Sequence, residues 1–323
     1  MKRIITIFIS VAIFVCLLFY IVDIGKIPVI LQKVNWYLVV VASILGLATS
    51  ILGPFRLKEL LRIIGGEVDK LYIWNLANIG ALLSLIFPLS AGGFAMSYFL
   101  KKKINTTYKK TFFIVFVDAF FSLPLLLALG VIACVYFFNK NLLTIEIMAK
   151  NMFLITVLAI FGILVIFLQK RDFINRIREL LAKAVTLLSN SKGSFDKPIL
   201  ITLLLFVVGN LQMYLYFIAF GLNLSILDFI LAESLLSLLG TLPSVIPMKI
   251  GQYETFGVLT LPYLLNVDET IIFSVLLLQR SLSIVIVLIL GLISLNSLNF
   301  NWELFRKIPV YRNSGTTSKK EDR

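Results

Sequence analysis

Asp118, Glu233, Lys249, Glu254 and Arg280 place charge within, or at the edge of, stretches that are otherwise as apolar as a bilayer interior. A charged side chain at the bilayer centre costs about 2.5–3.5 kcal/mol even on the lenient insertion scale, so each needs a partner or a wet cavity. Glu254 and Arg280 admit two compatible readings: a polar cavity that accepts a substrate, or an ion pair that holds one segment to the last span. Lys249 can attract a phosphate as a mobile point charge, or snorkel to the outer interface. Asp118, two turns into its span, is expected to pair with a lysine cluster or with the first broken segment, and Glu233 to lie close to the outer surface. Among these charges, Pro88, Gly92, Gly93, Pro243, Pro247 and Gly251 interrupt helices. A broken helix frees backbone groups that bind anions at a half-helix N-terminus. The same residues also permit tight turns and close packing. Asn78, Asn210 and Gln212 are expected to hydrogen-bond between helices.

Other chemistry is excluded by composition. With no histidine and two cysteines, no Ser-His-Asp triad, histidine zinc site or disulfide framework can be built. No catalytic residue, metal or cofactor is expected. Cys16 and Cys134 lie inside apolar runs and read as small buried hydrophobes.

The elements that must position these residues are membrane helices. The chain of 323 residues is 59% hydrophobic and 15% charged, too little polar surface for a soluble domain. Runs of about 20 apolar residues match the roughly 30 Å hydrocarbon core at about 1.5 Å per residue. Spans are expected at about Ile4 to Val22, Trp36 to Gly53, Thr111 to Phe138, Met152 to Leu168, Ile199 to Gly221 and Ile271 to Leu295. Between the second and third, Arg56, Lys58, Glu59 and Arg62 predict a short amphipathic surface helix ended by Gly65-Gly66.

The net charge of +13 lies in short clusters beside apolar segments, the pattern of cytoplasmic loops rather than of nucleic-acid binding. Leu71 to Leu100 is interrupted at Pro88 to Gly93 and followed by Lys101, Lys102, Lys103, Lys109 and Lys110. A single crossing would put those lysines outside, so the positive-inside tendency predicts a re-entrant hairpin. Phe229 to Leu265 is a second broken pair, entering by the same charge logic from the opposite side.

Each half thus reads as span, broken pair, span. L-L-S-L stands at Leu82 to Leu85 and at Leu235 to Leu238, and P-x-x-x-G at Pro88 to Gly92 and at Pro247 to Gly251. The expected fold is an all-α polytopic membrane protein of about six full spans plus two broken re-entrant hairpins, arranged as an inverted repeat with a site near the midplane. A single membrane domain covers residues 1–300: a first half to about 169, a cytoplasmic connector over about 170–198, and a second half from about 199. Residues 301–323 form a cytoplasmic tail.

The stretch P-S-V-I-P-M-K-I-G-Q-Y-E-T-F from Pro243, with Gln279-Arg280 in the last span, resembles the transmembrane region of the lysylphosphatidylglycerol synthase family, a group of flippase-like integral membrane proteins. The likeness extends over roughly residues 1–300. The first hairpin departs from it, with Ser90, Gly93 and Met96 where the family tends to have basic, acidic and arginine residues, so most of the site's charge is expected from the second. The resemblance implies translocation of a lipid or lipid-linked headgroup, with membrane lipids, anionic ones included, as partners. Aminoacyl transfer is not carried over, because no soluble domain follows residue 300. The alternative is a membrane-embedded enzyme or accessory subunit of glycolipid or envelope polysaccharide synthesis; besides lipids, a second copy of the chain or a separate envelope-biosynthesis enzyme is an expected partner. Expected placement is the inner or plasma membrane with both termini cytoplasmic.

Overall fold

The computed structural model describes residues 24–63, 65–86, 91–140, 195–241 and 251–298. The expected spans Ile4 to Val22 and Met152 to Leu168, most of the connector, the tail and Cys16 lie outside the described residues, as do Pro88, Pro243, Pro247 and Lys249.

Every regular element among the described residues is helical: after a short 3-10 turn come α1 (Ile27–Gln32), α2 (Trp36–Ile63), α3 (Lys70–Ile86), α4 (Ala91–Lys103), α5 (Tyr108–Phe120) and α6 (Leu123–Asn139), then α7 (Asp196–Ala219), α8 (Ile226–Gly240), α9 (Gln252–Leu265) and α10 (Glu269–Ser297). Four stretches are long and apolar enough to cross a bilayer: α2, α5 with α6, α7 and α10. They coincide with the four spans expected within the described residues. Valines, isoleucines and leucines stay exposed along them because lipid, not protein, is their solvent. This is an integral membrane protein.

Two sequence expectations are corrected. The surface helix after Gly53 is not separate, since α2 runs unbroken through Pro54 to Ile63. An internal proline removes one backbone hydrogen bond and crowds the preceding turn. Here the next two turns bury Leu57, Leu60, Leu61 and Ile63 against Ile73, Leu76 and Leu100, and that burial carries the helix onward. Conversely, the run Thr111 to Phe138 is not one straight helix. It breaks at Phe121-Ser122, ahead of Pro124 in the first turn of α6, with Phe121 N–H closing a tight bond to the Asp118 carbonyl at 3.2 Å.

The helices pack in a few long pairings. α2 and α7 run antiparallel along their whole length: Asn35 N–H donates to the Ala219 carbonyl at 2.9 Å, Ser43 Oγ meets Tyr216 OH at 3.0 Å, and Gly46 faces the Gln212 amide. α3 lies antiparallel to α10, with Asn75 Nδ2 donating to Ser297 Oγ at 3.1 Å and Leu82 against Gly291. α8 lies antiparallel to α6, with Leu238 against Gly130 and Tyr136 OH donating to Asp228 at 2.7 Å. α3 packs on α4, α4 on α5, α8 on α9 and α9 on α10.

Cys134 is corrected as well: it is exposed. α6 turns Gly130, Ala133 and Phe137 inward, and the following position points away from the core.

Candidate functional site

α9 starts at Gly251, whose φ of +81° lies in the left-handed region that a side chain disfavours. Three residues on, Glu254 reaches back so that its Oε2 accepts the Gly251 N–H at 2.8 Å, which satisfies one of the orphan donors of the helix start. The other oxygen, Oε1, lies 3.2 Å from Arg280 Nε on α10. The carboxylate is 3% exposed and the guanidinium 19%. The two charges singled out in sequence are therefore one ion pair, packed where the positive end of the α9 dipole also points.

Next to it, Tyr253 OH donates to Glu233 Oε1 at 2.7 Å, and Ser237 Oγ donates to the same oxygen at 3.1 Å. Glu233 is buried among the helices, and its Oε2 has no hydrogen-bond partner among the described residues. Tyr253 carries no sequence signal of its own, standing as one aromatic among many. Only its place beside Glu254 and one hairpin arm away from Glu233 marks it. Glu233, Tyr253, Glu254 and Arg280 thus form a polar line from α8 through α9 to α10, inside an apolar cluster that holds Leu236, Leu261 and Leu276.

Asp118 belongs to a different place. Arg56 Nε donates to its Oδ1 at 2.8 Å and Arg56 Nη2 to its carbonyl at 2.9 Å, while the guanidinium lies 5.9 Å from the Phe121 ring centroid. The lysine cluster is not its partner. The physical reason is the unbroken α2, which carries Arg56 up beside α5, and the bend at Phe121, which leaves the Asp118 carbonyl able to accept a second donor.

Gly92 and Gly93 head α4 but differ in kind. A Cβ on Gly92 would coincide with the Gly80 carbonyl oxygen and Ser84 Oγ, so the two arms touch through backbone. One on Gly93 would sit 3.7 Å from Val115, an ordinary contact. The arms of this hairpin return to one level, with Lys103 Nζ 5.1 Å from the Tyr72 ring centroid and Ile104 against Gly66. Asn210 is also corrected: its Nδ2 donates to Phe206 of its own helix at 2.9 Å. Asp268 caps α10, accepting from Thr270 N–H at 2.8 Å, so the acidic pair Asp268-Glu269 sits at a helix start.

Among the described residues no group of three or more His, Cys, Asp and Glu side chains converges as a metal site would. What converges is an anion-compatible corner: a guanidinium, a helix N-terminus and a carboxylate already bound to both.

Searches among curated proteins and among solved structures return no match. The family model described as the lysylphosphatidylglycerol synthase transmembrane region matches residues 4–291, nearly the whole chain. The chain belongs to the lysylphosphatidylglycerol synthase transmembrane-region family.

Proposed function

We propose that the protein carries a lipid or lipid-linked headgroup between leaflets, through a polar site at the broken starts and ends of its two helical hairpins, with the halves related as an inverted repeat. The observation that carries this reading is the exchange of helix pairings. Replace α2 by α7, α3 by α8, α4 by α9 and the bent α5–α6 by α10, and the contacts map onto one another. α3 on α10 becomes α8 on α6, α4 on α5 becomes α9 on α10, and α2 on α7 becomes itself. Asp118 and Arg280 then occupy matching depths, 11 residues past Thr107 and 12 past Asp268, the residues that precede their helices.

Register supports a shared depth for the two breaks. Asn75 beside Ser297 and Leu82 beside Gly291 carry the end of α3 toward Ile286, about 9 Å along the helix from Arg280. The start of α9 is already at Arg280. Transporters built from inverted repeats place substrate sites at such midplane breaks. A headgroup phosphate arriving there competes with Glu254 for Arg280, so binding and release alternate with one ion pair. Both termini and the Lys101–Lys103 end lie on the cytoplasmic side of the cell membrane in this arrangement.

Reconstitution tests it: liposomes with headgroup-labelled lipids, loaded with wild type, Glu254→Gln or Arg280→Ala. Translocation above empty vesicles by the wild type, and loss of it in both variants, is expected. Equal rates in empty and loaded vesicles across a panel of headgroups overturn the reading.

A further inference from the structure

Away from the hairpin breaks, a cavity of about 250 Å³ opens between the C-terminal part of α2 and the first turns of α3 and α7. Its floor is Phe55, Leu200 and Ile201, and its wall carries Lys58, Lys70 and Lys197 with Glu59. The one acid in that wall is committed elsewhere, because both Glu59 oxygens lie 3.2 Å from Arg62 Nη1. Asp69, beside Lys70, accepts Leu71 N–H at 2.9 Å and Tyr72 N–H at 3.4 Å; these bonds, with a smaller contribution from Lys58, hold its carboxyl below the ordinary aspartate range and keep it anionic at the start of α3. The cavity therefore presents three lysines over an apolar floor.

From this cavity two exposed apolar tracks run along the antiparallel pair. On α7, Leu200, Leu204, Val207 and Leu211 are exposed and recur at helical spacing; on α2, Ile44, Leu47 and Ile51 do the same. Leu200 to Leu211 spans about 16 Å of helix, close to the half-thickness of a hydrocarbon core of roughly 30 Å. A basic cavity at one end and a leaflet-deep apolar track below it have the dimensions of one phospholipid.

We infer that Lys58, Lys70 and Lys197 form a binding site for an anionic phospholipid of the adjacent leaflet, its phosphodiester in the cavity and its chains on the Leu200–Leu211 track. The site is separate from the Glu254–Arg280 corner and binds whether or not the protein translocates lipid. It is measured by binding alone, so it and the translocation assay succeed or fail independently.

The experiment is native mass spectrometry of the full chain in detergent, with phosphatidylserine or phosphatidylcholine as the lipid probe and inorganic phosphate as competitor. Three variants accompany the wild type: the triple Lys58→Gln/Lys70→Gln/Lys197→Gln, the single Lys197→Gln, and Lys101→Gln/Lys102→Gln/Lys103→Gln as a control of equal charge change. Wild type is expected to retain phosphatidylserine over phosphatidylcholine. The triple should lose on the order of 100-fold in affinity and the single about 5-fold, with the control unchanged. If the triple does not fold, the single variant carries the comparison. Wild-type retention in the folded variants, equal retention of phosphatidylcholine, an equal loss in the Lys101–Lys103 control, or displacement by inorganic phosphate at lipid-like concentrations overturns the inference, the last by making free phosphate the ligand.

Discussion

Glu254 shares its carboxylate between two elements: Oε1 lies 3.2 Å from Arg280 Nε on α10, and Oε2 accepts the N–H of Gly251 at the start of α9 at 2.8 Å. One side chain therefore fixes both the turn that opens α9 and its attachment to the last span. Removing the cation strands a buried carboxylate, which costs about 3–5 kcal/mol, whereas removing both charges together is much less costly. Arg280→Ala is expected to lower thermal stability in detergent sharply, and Glu254→Gln/Arg280→Met to recover most of it. If translocation returns with stability in the double variant, the pair is a fastening only. If stability returns and translocation does not, the charges act on the substrate.

Gly92 and Gly93 offer a matched pair of substitutions on one helix. Gly92→Ala drives a methyl group into the Gly80 carbonyl and Ser84, both on α3, and backbone cannot yield as a flexible side chain would. Overpacking of that kind costs about 1–3 kcal/mol or more. Gly93→Ala meets only Val115 at a normal distance and is expected to stay within about 0.5 kcal/mol of wild type. Thermal unfolding of the two variants side by side checks this; equal melting temperatures would mean that the arms do not cross at Gly80.

The return of α4 to the level of Tyr72 fixes the side on which the lysines lie relative to the start of α3. In a background with Cys16→Ser and Cys134→Ser, Lys103→Cys and Glu67→Cys are expected to label from the same side of sealed vesicles, and Lys140→Cys from the other. Labelling of Lys103→Cys from the side of Lys140 would remove the hairpin.

The four described spans and the two interruptions were legible because they rest on local sequence: stretches of about 20 mostly apolar residues, and Pro or Gly at their breaks. Pairings between elements were not. Asp118 finds Arg56, 62 positions earlier, only because α2 continues through Pro54. A proline reads the same at Pro54, inside α2, and at Pro124, beside the α5–α6 bend. The difference is made by burial of Leu57, Leu60 and Leu61 after Pro54, which is a tertiary fact. Cys134 likewise needed the packing face of α6, which Gly130 and Phe137 define only once α8 lies against them.

Arg56 holds the bend through three contacts: the Asp118 carboxylate, the Asp118 carbonyl and the Phe121 ring. Asp118→Asn keeps an oxygen for Nε and leaves the other two, so it is expected to cost less than about 1.5 kcal/mol. Arg56→Ala removes all three contacts and leaves the carboxylate partly buried without its cation, for a loss of about 2–4 kcal/mol. The order of the two melting temperatures decides it. A larger effect from Asp118→Asn would place the function of Asp118 beyond this fastening.

Tyr253 and Glu233 test whether the polar line across α8 and α9 is built for shape or for hydrogen bonding. Tyr253→Phe leaves the ring in place against Gly240 but withdraws the stronger of the two donors to Glu233 Oε1, leaving Ser237 alone to satisfy a buried carboxyl. A buried acceptor that loses a partner costs about 1–3 kcal/mol. Glu233→Gln keeps a carbonyl oxygen that both hydroxyls can donate to, and supplies an amide in place of Oε2, which has no partner among the described residues. The loss is therefore expected on Tyr253→Phe and little or none on Glu233→Gln, read by thermal unfolding of each variant and of the pair. In the pair, the cost of Tyr253→Phe should shrink, because a neutral amide is less costly than a carboxylate to leave half satisfied. A strictly additive pair would show that the two side chains do not act on each other and that the line ends at Glu254.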